Sequence, residues 1–357
     1  MAAPQEQQPH QPGNNYLRKD VLNELNDAEL IKRYRLDREG ILFVTNLVRA
    51  ALKSDTNRSN PLTPELKVLI TLRYLATGKM QQCSSDDLGP SQSSISRAIS
   101  KTIDALADVN VLKRFITFPV TQDSADRKKA EFFAIANFPN IVGAIDGTHI
   151  RIVAPRDQEE VYVNRKGYHS MNVQVVFDAN YRILDILAKW PGSVHDARIL
   201  NSSGLSRLFD GGYVPTGSHL LGDSGYPCKT WLLTPYLRPL PGPQSRYNRS
   251  HKITRSIVER GIGQLKRRFH VLHGEVRLRP PLKVCKIIHV CGMLHNICKD
   301  RNLPLPLDDE QPMGAEAQVP VPLNDAAEEP ANAPGGHRNE GRAYRDAFCT
   351  LHFNNED

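Results

Sequence analysis

Three carboxylates occupy places where a charge needs a reason. Asp146 sits inside the apolar run "IVGAIDGTHIRIV" (residues 141–153), Asp223 follows "HLL" in "LLGDSGYP", and Glu259 stands in "SIVERGIGQLKRRF". An unpaired charge in a buried strand costs several kcal/mol, so Asp146 is expected to hold a divalent metal together with two more distant carboxylates. Thirty-five residues separate Asp223 from Glu259. Two aspartates at the ends of neighbouring strands, with a glutamate from a helix packed across them, make the oxygen-rich donor set that Mg2+ or Mn2+ prefers. Two such ions ~3.5–4 Å apart activate an attacking water and stabilise the leaving oxygen of a phosphodiester. Asp146, Asp223 and Glu259 are thus the candidate catalytic residues and the candidate metal ligands.

The surroundings of Glu259 are cationic. Between Lys229 and Lys283 there are 13 Lys or Arg and only two acids, Glu259 and Glu275. A lone carboxylate there has a plain structural use, an ion pair with Arg255 or Arg260, but a cationic groove around a metal-binding acid is also what a phosphodiester backbone requires. Arg249, Lys252, Lys266, Arg267 and Arg268 flank Glu259 and are candidate phosphate contacts. Arg165 and Lys166, in "NRKGYH", are others, unless that loop is merely solvated. The formal charge of the chain is +7. Residues 301–357 hold 4 basic and 11 acidic side chains (−7), leaving 42 basic and 28 acidic over residues 1–300 (+14). So basic a body suggests a polyanionic partner.

Two residues are candidate auxiliaries. Asp196, in "GSVHDARIL", is placed to support a metal site from behind or to cap a helix, since N-caps favour Asp. His149 follows Asp-Gly-Thr and could approach DNA or simply be a satisfied structural histidine. The His195-Asp196 pair is also an HD-phosphohydrolase signature, but that fold is all-helical and the flanking strands argue against it. Cys285, His289, Cys291, His295 and Cys298 lack the split paired spacing of a zinc site and read as a packing stripe on one helix. With six cysteines in a chain of 357 residues, reduced thiols are expected rather than a disulfide framework. The opening residues lack the basic region and apolar core of a secretory signal, so export is not expected.

The elements that must position these side chains are legible as periodicity. Residues 1–15, rich in Gln, Pro and Asn, are expected to be disordered. From Leu17 to about Leu112 the period is helical. There "DDLGPSQSSISRAISKTIDALA" outlines a helix-turn-helix, with Ile95, Ile99, Ile103 and Leu106 inward and Arg97 and Lys101 free for DNA. A plain helical bundle packed on the next domain would show the same pattern. From Phe138 the period becomes strand-like. A first strand stops at Pro155, and "HSMNVQVVFDANYRILDILAKW" forms a hairpin about Asp178–Tyr181. One helix is expected over "VHDARILNSSGLSRLF", then a fourth strand in "GSHLLGDSGYP". A long helix, "RSHKITRSIVERGIGQLKRRFH", should turn Ile253, Ile257, Gly261 and Leu265 to the core, and a last helix follows. The expected division is a helical, helix-turn-helix-like domain at 16–120 and an α/β, RNase H-like domain at 121–302, a mixed sheet flanked by helices. A disordered acidic Pro/Ala-rich linker at 303–341 and a short segment at 342–357, in which "AYRDAFCTLHF" is expected to dock as a short terminal helix, complete it.

Six blocks carry a family resemblance: "GAIDGTHI", "VNRKGYHSMNVQVVFDANYRILDI", "WPGSVHDARIL", "LLGDSGYP", "RYNRSHKITRSIVERGIGQLKRRF" and "LHNIC". In order and spacing, over about residues 25–300, they resemble the PIF/Harbinger transposase superfamily, and most of all the domesticated Harbinger transposase-derived nucleases of animals. The resemblance implies a DDE nuclease, Asp146, Asp223 and Glu259 as its triad, a divalent metal cofactor (Mg2+ or Mn2+, two ions), DNA as substrate, a nuclear setting and a Myb-like DNA-binding partner protein. A domesticated DNA-binding or adaptor protein without cleavage is the alternative, and the intact triad disfavours it. One departure is Gly261-Ile262-Gly263, where the family often carries Ala-Phe-Gly; packing rather than chemistry should change. The basic "KRRF" lies on the catalytic helix and is a poor import signal.

Overall fold

The computed structural model describes residues 20–54, 61–80, 90–306 and 335–354. The expected disordered tail (1–15), Gly89 of the helix-turn-helix and Cys83 lie outside them. Among the described residues, no helix is long and apolar enough to cross a membrane.

The chain opens with helices α1 (Val21–Glu24), α2 (Asp27–Tyr34), α3 (Arg38–Leu52) and α4 (Pro64–Thr77). The Thr63-Pro64 start acts as expected: the Thr63 side chain accepts from Leu66 N, Pro64 is the first helical residue, and Gly78 closes the helix at φ 63°. Helix α5 (Gln92–Leu106), capped by Ser91, buries Ile95, Ile99, Ile103 and Leu106, as its pattern requires. Short α6 (Val109–Leu112) leads to α7 (Gln122–Ala136), which begins in a Thr121–Ser124 capping box at the expected domain junction.

The sheet has five strands: β1 (Ile141–Arg151), β2 (Ser170–Phe177), β3 (Ile183–Pro191), β4 (His219–Leu221) and β5 (Leu232–Leu233), in the order β3-β2-β1-β4-β5. The first three are antiparallel neighbours, whereas β4 runs parallel to β1 and to β5. Every residue of β2 is buried, because helices cover both faces. The β2–β3 turn falls at the expected Asp178–Tyr181. The fully buried Asp178 accepts from the amides of Asn180 and Arg182 and pairs with Lys128 at 2.8 Å. Strand β5 escapes sequence reading because two residues carry no period; only its pairing with β4 defines it.

Four other elements depart from expectation. The region after β3 is two helices, α8 (Asp196–Asn201) and α9 (Gly204–Asp210), because Ser203 accepts from Ser206 N and starts the second. The long helix α10 begins at Pro243 and runs to Arg268, earlier than its apolar pattern. Its buried face is Thr254, Ile257, Val258, Gly261 and Leu265, while Ile253 is 47% exposed. Helix α11 (Pro281–Asp300) packs beneath β3. Helix α12 spans Gly335–Phe353, so it takes in part of the expected linker, of which 307–334 lie outside the described residues.

One core runs from Leu30, Val48, Ile70 and Ile99 through Cys291 and Leu294 of α11 to Val175 and Phe177. A smaller core on the opposite face of the sheet holds Ile145, Val176, Leu200 and Leu220. The helical region therefore shares its core with the sheet. Lys283 to Ser100 (2.5 Å) and Lys286 to Asp104 (2.6 Å) tie α11 to α5, while Arg97 and Lys101 stay exposed. Asn296 of "LHNIC" accepts from Ile183 N and donates to Ile183 O and Phe115 O, which pins the start of β3.

Candidate active site

Side chains alternate along β1, so Asp146 and Gly147 face opposite ways. Asp146 points to α10, where Arg255 donates to its Oδ2 at 3.0 Å, and Gly147 N donates to its Oδ1 at 2.8 Å. The same guanidinium pairs with Glu259 one turn along the helix. One arginine thus answers both the charge of Asp146 and that of Glu259, and the ion pair that was the alternative use of Glu259 is present. Asp223 lies just beyond β4, beside Asp146 on β1, with Gly225 N donating to its Oδ1 at 2.9 Å.

The electrostatics follow from the crowding. Burial pushes the Asp146 carboxyl up to about 6 against the pull of Arg255, and the charge of Asp223 adds to the rise. Asp223 is also raised, by burial first, with Arg255 opposing and Asp196 contributing. Tyr226 is 4% exposed, its hydroxyl has no partner, and burial together with Asp196, Asp146 and Asp223 raises its pKa far above normal.

Gly147 looks the other way, toward Asp196. A Cβ at Gly147 would fall 2.5–2.8 Å from the Asp196 carboxylate atoms. The glycine beside Asp146 is therefore explained by close approach. The helix α8 N-cap is His195, without a side-chain cap bond, so Asp196 does not cap the helix. Its Oδ1 accepts from Asn172 at 2.8 Å, packing it behind the strand. His149 accepts or donates at Ser170 Oγ (3.0 Å), burial lowers its pKa, and its backbone oxygen accepts from Lys266 at 3.3 Å. Arg165 reaches His195 at 2.6 Å, and with Lys166 lies close enough to act electrostatically on His149.

On α10, Lys252, Arg255, Glu259 and Lys266 form one stripe at spacings of three, four and seven. Arg249 and Lys252 are exposed and Arg267 is half-buried. Arg268 is a correction. It is 1% exposed and donates to Pro304 O and Leu303 O, both at 3.2 Å, so it ties down the chain after α11 and cannot meet a phosphate. The alternation of basic residues gave no hint of this; only the packing of residues 303–304 decides it. Gly261 is also explained, since a Cβ there would fall 2.8 Å from the Phe177 ring. Nothing lies within 4 Å of a Cβ at Gly263, and nothing in the structure explains that glycine.

Among the described residues, no three His, Cys, Asp or Glu side chains stand close enough together to share one ion. The Arg255 guanidinium stands between Asp146 and Glu259, paired with both. Asp146 and Asp223 nonetheless suit a hard divalent cation: both offer oxygens, and both are raised by burial that an added positive charge would relieve. Glu259 would join them by exchanging Arg255 for the ion. Sequence reading missed the double pairing of Arg255 and the place of Tyr226 among the acids; only the four-residue spacing of Arg255 and Glu259 hinted at the first.

A central strand with an aspartate, a second aspartate after the parallel strand beside it and a glutamate on the helix across them, on a β3-β2-β1-β4-β5 sheet, is the RNase H-like arrangement of DDE nucleases. Residues 145–296 match the family described as DDE superfamily endonuclease. The chain is 36% identical over 311 residues to "Putative nuclease HARBI1" of Mus musculus, covering 85% of this chain and 88% of that protein. The Homo sapiens protein of the same name is 35% identical over 293 residues (82% and 83%), and "Protein ALP1-like" of Arabidopsis thaliana is 30% identical over 307 residues (79% and 73%). No solved structure matches. The chain belongs to the family of Harbinger transposase-derived nucleases.

Proposed function

We propose that this chain is a metal-dependent DNA endonuclease in which Asp146, Asp223 and Glu259 form the catalytic centre. The observation that supports the reading is that Asp146 and Glu259, remote in the chain, share Arg255, with Asp223 near enough to act electrostatically on Asp146. A divalent ion held by Asp146 and Asp223, with Glu259 completing the set, would neutralise phosphate charge and act as a Lewis acid at phosphorus. The chain's own contributions are geometric. Strand β1 and the turn after β4 fix the two aspartates, whose oriented amides hold one carboxylate oxygen each. Arg255 keeps Asp146 and Glu259 close to one another, and on releasing them is placed to meet a phosphate oxygen. Lys252, Lys266, Arg165 and Lys166 line the approach with positive charge, Asp196 supports β1 from behind, and His149 ties β1 to β2 through Ser170. Arg97 and Lys101 on α5 offer a second DNA contact.

A nuclear location and a Myb-like DNA-binding partner belong to the same reading. The test is cleavage of supercoiled and linear duplex DNA with Mg2+ or Mn2+. Asp146→Ala and Glu259→Ala should abolish nicking while the circular-dichroism spectrum is unchanged, and isothermal titration should show Mn2+ binding that is lost with the aspartates. Full activity of either variant overturns the assignment. Absence of both Mn2+ binding and cleavage in the wild type would favour a DNA-binding or adaptor protein.

A further inference from the structure

Tyr226 carries a buried hydroxyl that the fold itself does not use. The residue is 4% exposed, its oxygen is sealed from solvent, and no group among the described residues bonds to that oxygen. The ring has a plain packing role. It lies over Gly222, where a Cβ would fall 3.2 Å from Tyr226 Cδ2, within the smaller core that holds Ile145, Leu220 and Leu232. A phenylalanine would fill the same space without leaving a buried polar atom unsatisfied, so the hydroxyl calls for a separate explanation.

Its surroundings are acidic. Tyr226 follows Asp223 by three residues, and its amide donates to Asp223 O at 3.3 Å. The carboxylates that act on the phenol are Asp196 first, then Asp146 and Asp223. Both oxygens of Asp146 are engaged, Oδ1 by Gly147 N and Oδ2 by Arg255. Asp196 gives Oδ1 to Asn172 and keeps Oδ2 for a further donor. A carboxylate can only accept and a phenol can donate, so Tyr226 is a proton donor set among acceptors.

We infer that Tyr226 is a positioning residue of the metal-binding centre: when Asp146 and Asp223 hold a cation, the Tyr226 hydroxyl donates to Asp196 and fixes that carboxylate behind them. The inference rests on the metal-dependent reading and adds to it a residue outside the three acids. Acids whose like charges hold them apart close up around a cation, and Asp196 is one of the charges that act on Asp223. The hydroxyl, closed off from water, is then met by the carboxylate that acts on it most strongly. A bond made only in the loaded state adds to cation affinity and contributes nothing to the stability of the empty chain.

The experiment is isothermal titration of Mn2+ into the full chain without DNA, with melting temperatures measured in EDTA. Tyr226→Phe should weaken Mn2+ binding roughly 10-fold, the worth of one hydrogen bond to a charged acceptor. In EDTA the same variant should melt at or above the wild-type temperature, since the lost hydroxyl has no partner there. In an Asp196→Ala background, Tyr226→Phe should leave Mn2+ affinity unchanged, because its acceptor is already gone. Equal Mn2+ affinity for Tyr226→Phe and wild type would overturn the inference. So would a lower melting temperature in EDTA, the mark of a bond that only holds the fold. The same loss of affinity in both backgrounds would overturn the pairing with Asp196. A wild type that binds no Mn2+ would instead sink the metal-dependent reading beneath it.

Discussion

Replacing Asp146 by Asn should stabilise the metal-free protein while ending its activity. The Asp146 side chain is 18% exposed and its pKa stands at about 6, against 3.8 for a free carboxyl. An acid raised on folding binds its proton more readily when folded. Stability contributed by that group therefore falls as pH rises from about 4 to about 6, and above that the ionised carboxylate costs its full amount, about 3 kcal/mol for such a rise. Asparagine mimics the protonated form and keeps an oxygen to accept from Arg255 and Gly147. In EDTA at pH 7.5 the variant should melt about 5 °C above wild type, and at pH 4.5 the gain should shrink to about one third. Differential scanning calorimetry at the two pH values measures both, and a nicking assay with Mg2+ measures the activity lost. A variant less stable than wild type at pH 7.5, or a gain equal at both pH values, would refute the claim that a strained, cation-seeking carboxylate sits at this place.

Two further outcomes test the packing around the site. Gly261→Ala should cost about 1–3 kcal/mol in urea unfolding because its Cβ would press into the Phe177 ring, whereas Gly263→Ala, facing open space, should stabilise the helix by up to about 1 kcal/mol. Arg268→Met should lower stability by about 1–3 kcal/mol through loss of the bonds to Leu303 and Pro304, and should leave the salt slope of DNA binding unchanged; a shallower slope would put Arg268 back among the phosphate contacts.

The sequence by itself determined the local elements and the chemistry they carry. The alternation around Asp146, the cap at Thr63-Pro64, the turn at Asp178–Tyr181 and the isoleucine stripe of α5 follow from periods and capping residues that act over a few positions. The candidacy of Asp146, Asp223 and Glu259 came from residue type against local pattern; the structure joins Asp146 and Glu259 through Arg255 but gathers no three acids into one ion's ligand set among the described residues. What only the tertiary structure decided are relations between distant segments. Arg255 and Arg268 lie thirteen residues apart on one basic helix, yet one pairs with two acids and the other is buried under residues 303–304, because the helix turns different faces to different neighbours. Asp196 looked like a cap, but Gly147 leaves a hollow on the back of β1 that its carboxylate fills. Strand β5 exists only because β4 offers an edge, and α12 docks where it does because Gly341 lets it reach Cys228. Periodicity reports which face of an element is apolar; it does not report which element will cover that face, and a side chain's electrostatic work depends on that second fact.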